Sequence, residues 1–207
     1  MVPSLSEILQ KSSARHEHLC PRQVLGARIG LAGLAALGLE APISKTTALV
    51  IIESDGCFAD GVEAATGATV GHRTLHVNDF GKVAATFADV KTGSAVRISP
   101  ALDARERALM YAAQEPRHYF AQLQGYQIMP EAELLRCQEV TLHPSLNELI
   151  SKPAVRTTCD YCGEEIINER EIVLDGITLC RTCANEGYYL IEPASAQICA
   201  VVDHQSK

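Results

Sequence analysis

The stretch "TTALVIIESDGCFADGVEAATG", residues 46–67, contains the pattern from which the fold can be predicted. Its first half is a short run of apolar and β-branched residues, which is typical of a buried strand. The Ser-Asp-Gly sequence that follows predicts a turn, and the residues after the turn predict a short helix that stops at Gly67. The stretch therefore predicts a buried strand that leads, through a loop carrying Cys57, into a helix.

Two segments upstream predict further helices. Residues 3–12 have apolar side chains at helical spacing, and residues 21–39 begin with a proline, which suits the first position of a helix. Gly26, Gly30 and Gly33 weaken the second helix. We therefore expect these glycines to allow close contact with another backbone.

Strands are predicted downstream of the opening stretch. Three short segments between residues 73 and 99 are rich in β-branched residues and separated by Gly, Asp and Asn, which predicts antiparallel strands joined by turns. A helix over residues 100–124, interrupted at Pro116, and a final strand within residues 132–144 follow. Because helices and strands mix without strict βαβ alternation, we expect an α+β fold with a mixed or antiparallel sheet core and packed helices.

The composition is that of a globular protein with a core of its own. Apolar residues make up 47% of the 207 residues and charged residues 21%, which is ordinary for a soluble domain. The composition changes beyond a linker at 143–158, so we expect a metal-binding core over residues 1–152 and a small module with its tail over residues 153–207. The net charge of −7 opposes a broad nucleic-acid or anionic-membrane surface.

The cellular compartment is predicted from the apolar segments. The most apolar run, residues 24–39, is too short to span a membrane, and the N-terminus does not have the pattern of a signal peptide. We therefore expect a cytoplasmic protein without a membrane partner. In that compartment its eight cysteines are expected to be metal ligands, reactive thiols or small buried residues rather than disulfides. Cys137 and Cys199, which are isolated in the sequence, are expected to be small buried residues.

Two Cys-x-x-Cys pairs give the clearest functional signal. Seventeen residues separate "CDYC" from "CRTC", a spacing typical of a four-cysteine zinc site in which two pairs complete a closed tetrahedron. Asp175 and Gly176, between β-branched residues, predict a tight hairpin turn and so a zinc ribbon. A redox dithiol fits this arrangement poorly, and the surrounding acidic residues favour a protein partner. The predicted ligands of this structural Zn²⁺ are Cys159, Cys162, Cys180 and Cys183.

The sequence "HEHLCP" places two histidines and a cysteine just ahead of a predicted helix. Cys20 is expected near the N-terminus of that helix, where the dipole and the free N–H groups favour a thiolate. His16 and His18 alternate, so they project to the same side of an extended segment. Together with Cys57 they could share one transition-metal ion. A solvated loop with a buried Cys57 is the alternative, and spacing alone does not decide between the two.

Several motifs, in order, resemble the FmdE family, which takes its name from a component of molybdenum formylmethanofuran dehydrogenase. "HEHLCPRQVLGARIGLAGL" (16–34) is similar to the family's H-x-H-x-C-P-x-x-x-x-G-x-R opening. "VIIESDGCFADGVEAATGATVGHRTLHVNDFGKVAATF" (50–87) is similar to its next block, and a terminal zinc finger followed by "GYY" also occurs in members. One departure is Arg22, where the family usually has a glycine.

The resemblance implies an α+β core with a zinc-finger tail, a homodimer, and a metal centre built from the first two motifs. Carried onto this chain, the implied ligands of a second transition metal, Zn²⁺ or a similar ion, are His16, His18, Cys20 and Cys57. Asp60 and Lys82 are the further residues implied for the pocket around it.

Two functions of different classes follow. In the first, the chain is an accessory or interaction protein linked to molybdenum or tungsten enzyme metabolism, without an independent activity; its core binds a metal, and its ribbon docks a partner protein. In the second, it is an enzyme whose core metal keeps an exchangeable position and activates water or a thiol of a small molecule. A regulator that binds nucleic acid through the ribbon is less favoured, because the chain is acidic.

Overall fold

The computed structural model describes residues 3–14 and 18–190, which form two compact units divided between Ile150 and Ser151. None of the described helices is long and apolar enough to cross a membrane. The helices of the first unit are α1 (Leu5–Ser13), α2 (Pro21–Ala36), α3 (Cys57–Thr66), α4 (Ala104–Tyr111), α5 (His118–Ile128), α6 (Glu131–Leu134) and α7 (Leu146–Leu149). Its strands are β1 (Ala48–Ile52), β2 (Leu75–Val77), β3 (Ala85–Asp89), β4 (Ala95–Pro100) and β5 (Leu135–Glu139).

The five strands form one mixed sheet in the order β2-β1-β3-β4-β5. β1 lies inside the sheet, where Val50 pairs with Leu75 of β2 on one side and with Phe87 of β3 on the other. All residues of β1 are buried, and burial of both faces explains why its sequence is continuously apolar instead of alternating. The predicted α+β class with a mixed sheet is confirmed.

The direction of β2 differs from the prediction. β2 runs parallel to β1, so the expectation that it is an antiparallel strand is wrong. A parallel pair needs a crossover connection, and α3 supplies it between the two strands. The β-branched residues around Leu75 predict a strand but carry no information about its direction. The other neighbours in the sheet are antiparallel.

Glycines bring α2 and α3 together in the same direction. A methyl group on Gly26 would lie 2.3 Å from the carbonyl oxygen of Phe58, and one on Gly30 would lie 2.7 Å from Cβ of Ala65. A methyl group on Gly61 would lie 2.3 Å from a backbone oxygen of α2. Because residue numbers rise together along the contact, the helices are parallel, and the expected close backbone contact is confirmed.

The helix and strand boundaries follow local signals. α2 ends before Gly38, which adopts a positive φ of 63°, as glycine does after a helix end. The helix predicted over residues 100–124 is two helices, with Pro116 in the break between α4 and α5. Cys137 is exposed on β5, which lies at the edge of the sheet, so the expectation that it is buried is wrong. Cys199 lies outside the described residues.

Arg28 ties α2 to the end of α5. Its half-buried guanidinium donates to the carbonyl oxygens of Tyr126 and Met129, at 2.9 Å each. The last turn of a helix leaves such carbonyls without intrahelical partners. Burial lowers the pKa of Arg28, but an arginine side chain stays charged in proteins. The arginine of the G-x-R motif therefore holds α5 against α2.

The second unit consists of two hairpins. Its strands are β6 (Arg156–Thr158), β7 (Glu165–Ile167), β8 (Ile172–Leu174) and β9 (Ile177–Leu179). The predicted tight turn joins β8 to β9, with positive φ at both Asp175 and Gly176. Among the described residues of this unit, only Cys159 and Ile166 are buried. So small a core does not stabilise a domain by apolar burial alone.

Candidate metal centres

The four cysteines of the second unit converge. Their Sγ atoms all lie within 4.8 Å of one another, and the Sγ atoms of Cys162 and Cys180 are 3.9 Å apart. A tetrahedral zinc ion with Zn–S bonds of about 2.3 Å places its ligand sulfurs about 3.8 Å apart. A disulfide would require about 2.05 Å. The group can therefore hold a metal ion, and its all-sulfur donor set suits zinc.

Backbone N–H groups prepare this group for negative charge. The N–H of Cys180 donates to Cys159 Sγ at 3.3 Å, and the N–H of Cys183 donates to Cys180 Sγ at 3.4 Å. Backbone donors at Cys162 and Cys180 lower the pKa of Cys159 to about 6, because they stabilise the thiolate. Burial and the neighbouring cysteines raise the pKa of Cys183. Full ionisation of the group therefore requires a cation.

Asp160 fastens the first cysteine pair to the second hairpin. Its carboxylate accepts from the N–H of Thr178 at 2.7 Å, and its own N–H donates to the carbonyl of Thr178 at 2.8 Å. Thr178 lies on β9, which leads directly to Cys180. The variable position inside the first Cys-x-x-Cys pair thus sets the distance between the two pairs.

Cys20 and Cys57 meet in the first unit. Cys20 is the N-cap of α2, and Cys57 is the first residue of α3. Because these helices are parallel and in close contact, their N-termini lie side by side. Burial raises the pKa of Cys57, and so does the adjacent Cys20 thiol, whereas the Arg22 guanidinium acts in the opposite direction. The two motifs that flank this pair are thus joined by the fold.

Gln23 closes the loop that carries the two histidines. This fully buried side chain accepts from the N–H of Cys20 at 2.8 Å and donates to the carbonyl of Ser12 at 3.3 Å. Ser12 belongs to α1, so one side chain holds both ends of the loop. His18 is exposed, and His16 lies outside the described residues.

The family model described as "FmdE, Molybdenum formylmethanofuran dehydrogenase operon" matches residues 15–152, which is more than half of the chain. The chain belongs to the FmdE family. This confirms the resemblance found in the HxHxC and D-x-C motifs, and both Cys20 and Cys57 lie inside the matched region.

Two proteins similar to this FmdE protein bear on its fold and function. A probable S-adenosyl-L-methionine-binding protein of Archaeoglobus fulgidus is 34% identical over 97 residues, which cover 45% of this chain and 26% of the relative. The chain thus spans about a quarter of that protein. A crystal structure of an FmdE-like protein of tungsten formylmethanofuran dehydrogenase, from Syntrophus aciditrophicus, has a TM-score of 0.58 at 21% identity. The match covers 91% of this chain and 96% of the other, and it shows a shared fold.

The ligand set predicted for the FmdE core is partly described. Among the described residues, the tail cysteines are the group in which three or more metal-ligating side chains converge. Asp60 is half-buried in the first turn of α3, and Lys82 is exposed. A metal site made of Cys20, Cys57 and the two histidines therefore stays a prediction.

Glu53 fixes the turn that carries Lys82. Its carbonyl oxygen accepts from the N–H of Lys82 at 3.1 Å, and its N–H donates to the carbonyl of Ala84 at 2.9 Å. Its carboxylate receives two hydrogen bonds from Arg97, at 2.6 and 2.7 Å. The Lys82 turn is therefore held beside the end of β1, where the Cys57 loop begins.

Tyr119 is a site residue that sequence reasoning missed. It lies in the first turn of α5, and its ring contacts Phe120 edge to face, with ring centroids 5.2 Å apart. Burial raises the pKa of its hydroxyl, as do Cys20 and Cys57, while Arg22 acts in the opposite direction. Tyr119 therefore lies near both thiols. Only the packing of α5 against α2 brings it there, and no local sequence signal indicates it.

A cavity of about 300 Å³ opens beside the start of α2. Its walls come from α2, α4 and α5 and from the end of β4. Arg22 lines this cavity and also acts on the pKa of Cys57. The cavity therefore adjoins the thiol pair.

Proposed function

We propose that this FmdE protein is a metal-binding accessory protein linked to molybdenum or tungsten enzyme metabolism. In the core, Cys20 and Cys57 hold a transition metal, with His16 and His18 as the further ligands. In the tail, the four cysteines hold a structural Zn²⁺. The meeting of Cys20 and Cys57 at the N-termini of two parallel helices carries the proposal, in a chain whose family is named for the molybdenum formylmethanofuran dehydrogenase operon.

The chemistry of the core pair supports a metal. Two thiolates with imidazole nitrogens form a soft donor set that suits Zn²⁺ and related ions. The free N–H groups at both helix N-termini favour the negative charge that such ligands carry. Asp60 and Lys82 are proposed as pocket residues around the ion, because Asp60 lies one turn after Cys57 and the Lys82 turn is fastened beside the Cys57 loop.

An enzyme that acts on a small molecule is the second candidate. The cavity of about 300 Å³ and the Tyr119 hydroxyl favour it, since a metal with an exchangeable position needs space and proton donors beside it. The name of the archaeal relative makes S-adenosyl-L-methionine one compound to assay. Cobalt substitution separates the two candidates, because a thiol added to the protein changes the cobalt spectrum only where a coordination position is open.

The same experiment tests the core site itself. Thiolate–cobalt charge-transfer absorption is measured on the wild type, on the double variant Cys20→Ser, Cys57→Ser, and on the control Cys137→Ser, whose thiol is exposed on β5. We expect the double variant to lose part of the absorption and the control to keep all of it. Identical cobalt binding by all three proteins would contradict a core metal site.

We also propose a cytoplasmic homodimer that docks a protein partner through its zinc ribbon. The ribbon exposes Tyr161, Val173 and Ile177, which supports a protein contact, whereas the net charge of −7 opposes nucleic acid. Light scattering on the full chain measures the oligomeric state. A mass equal to a single chain across the concentration range would contradict the dimer.

A further inference from the structure

We propose that the cavity beside the thiol pair binds a small organic anion, a carboxylate or a phosphate ester with an apolar body. Its volume of about 300 Å³ lies at the lower end of the range for ligand pockets, about 300–1,000 Å³. That size suits a small molecule and not a macromolecular segment.

The charge of the cavity comes from two arginines. Arg22 and Arg105 both line it, in the first turns of α2 and α4. Among the described residues neither forms an ion pair. Arg105 donates to the Tyr126 hydroxyl and lowers its pKa against the larger effect of burial. No carboxylate belongs to the described lining, and Glu106 acts on Tyr126 from outside it. Two guanidiniums without a counter-ion favour carboxylate or phosphate, which they bind through paired N–H donors.

The rest of the lining suits an apolar body. Leu25, Val83 and the Tyr126 ring face the cavity, and Gln122 adds an amide. Leu102, at its edge, is 89% exposed. A ligand that carries apolar groups would cover part of this leucine, which adds to affinity through burial.

Arg22 places the anionic group. Because Arg22 lines the cavity and also acts on the pKa of Cys57, an anion bound to it lies beside the thiol pair. Glycine is usual at this position in the family, so Arg22 makes this a feature of the present chain. The position beside a metal rests on the proposed function, but anion binding itself needs no metal.

Calorimetric titration of the full chain, with and without added Zn²⁺, tests the proposal. The probes are phenyl phosphate, benzoate, inorganic phosphate and the neutral compound benzyl alcohol. We expect an aromatic anion to bind at least about tenfold more tightly than benzyl alcohol, since hydrogen bonds to charged groups contribute that much. The tighter of phenyl phosphate and benzoate identifies the anionic group.

Three variants locate the binding. Arg105→Met and Arg22→Gly should each weaken the anion about tenfold or more, while Arg136→Met, at an exposed arginine on β5, should leave it unchanged. Thermal unfolding of each variant checks that it is folded. Equal binding of anion and neutral probe, equal weakening by Arg136→Met, or no anion binding up to about 10 mM would each overturn the proposal. Anion binding without any core metal would leave the anion site standing and contradict only the proposed metal function.

Discussion

The thiols of Cys20 and Cys57 lie side by side at the starts of two parallel helices. Gly26 and Gly61 make this possible, because a side chain on either would clash with the backbone of the facing helix. The glycines that weaken α2 as an isolated helix are therefore the residues that bring two distant motifs together.

Replacing Gly61 by alanine should separate the two thiols. The added methyl group would lie 2.3 Å from a backbone oxygen of α2, so the helices must move apart at a cost of about 1–3 kcal/mol or more. We expect a lower free energy of unfolding in urea and a weaker core cobalt absorption. Gly71→Ala is the control, since no atom lies within 4 Å of its added methyl group. Equal stability of the two variants would show that the helix contact is looser than described.

Replacing Gln23 by leucine should disturb the core site without removing a ligand. The N–H of Cys20 and the carbonyl of Ser12 would lose their buried partner, and each unsatisfied group costs about 1–3 kcal/mol. We expect a lower melting temperature and weaker core metal binding, measured by competition with a chelating dye. Gln124→Leu, at an exposed position on α5, should change neither quantity. Unchanged metal affinity in Gln23→Leu would mean that the loop keeps its shape without this clasp.

Asp160 should support the tail metal although it is not a ligand. Asp160→Ala removes the acceptor of the Thr178 N–H, and loss of such outer contacts typically lowers metal affinity about tenfold to a hundredfold. Asp160→Asn keeps an acceptor oxygen and should retain most of the affinity. Glu164→Ala is the charge-matched control. If Asp160→Ala and Glu164→Ala bind zinc equally well, the effect is only one of net charge.

Metal removal should unfold the second unit alone. Cys159 and Ile166 are the buried residues among its described positions, so the ion supplies most of its folding free energy, whereas the first unit has an extensive apolar core. After chelation we expect amide hydrogen exchange to accelerate in β6 to β9 and to stay slow in β1. Retained protection in the hairpins would show that the unit folds without a metal.

The fold was predictable where local chemistry determines it. The apolar run of β1, the proline before α2 and the Asp175–Gly176 turn each have a short-range physical cause. The direction of β2 was not predictable, because strand pairing depends on how α3 crosses the sheet and not on the residues around Leu75. The edge position of β5, and with it the exposure of Cys137, has the same long-range origin.

The candidate sites show the same division. The tail cysteines converge as their spacing predicts, since a hairpin is all that separates the two pairs. Tyr119 and Arg105 could not be predicted, because they reach the core site only through the packing of α4 and α5 on α2. The role of Arg22 was partly visible, as a cation where the family usually has a glycine.

Metal content per chain tests the central claim most directly. The full chain is purified without added metal, as wild type and as the double variant Cys20→Ala, Cys57→Ala, with Cys137→Ala as control. We predict that the wild type and the control carry more than one metal ion per chain, and that the double variant keeps only the ion of the tail cysteines. A single ion per chain in all three proteins would contradict a metal centre at Cys20 and Cys57.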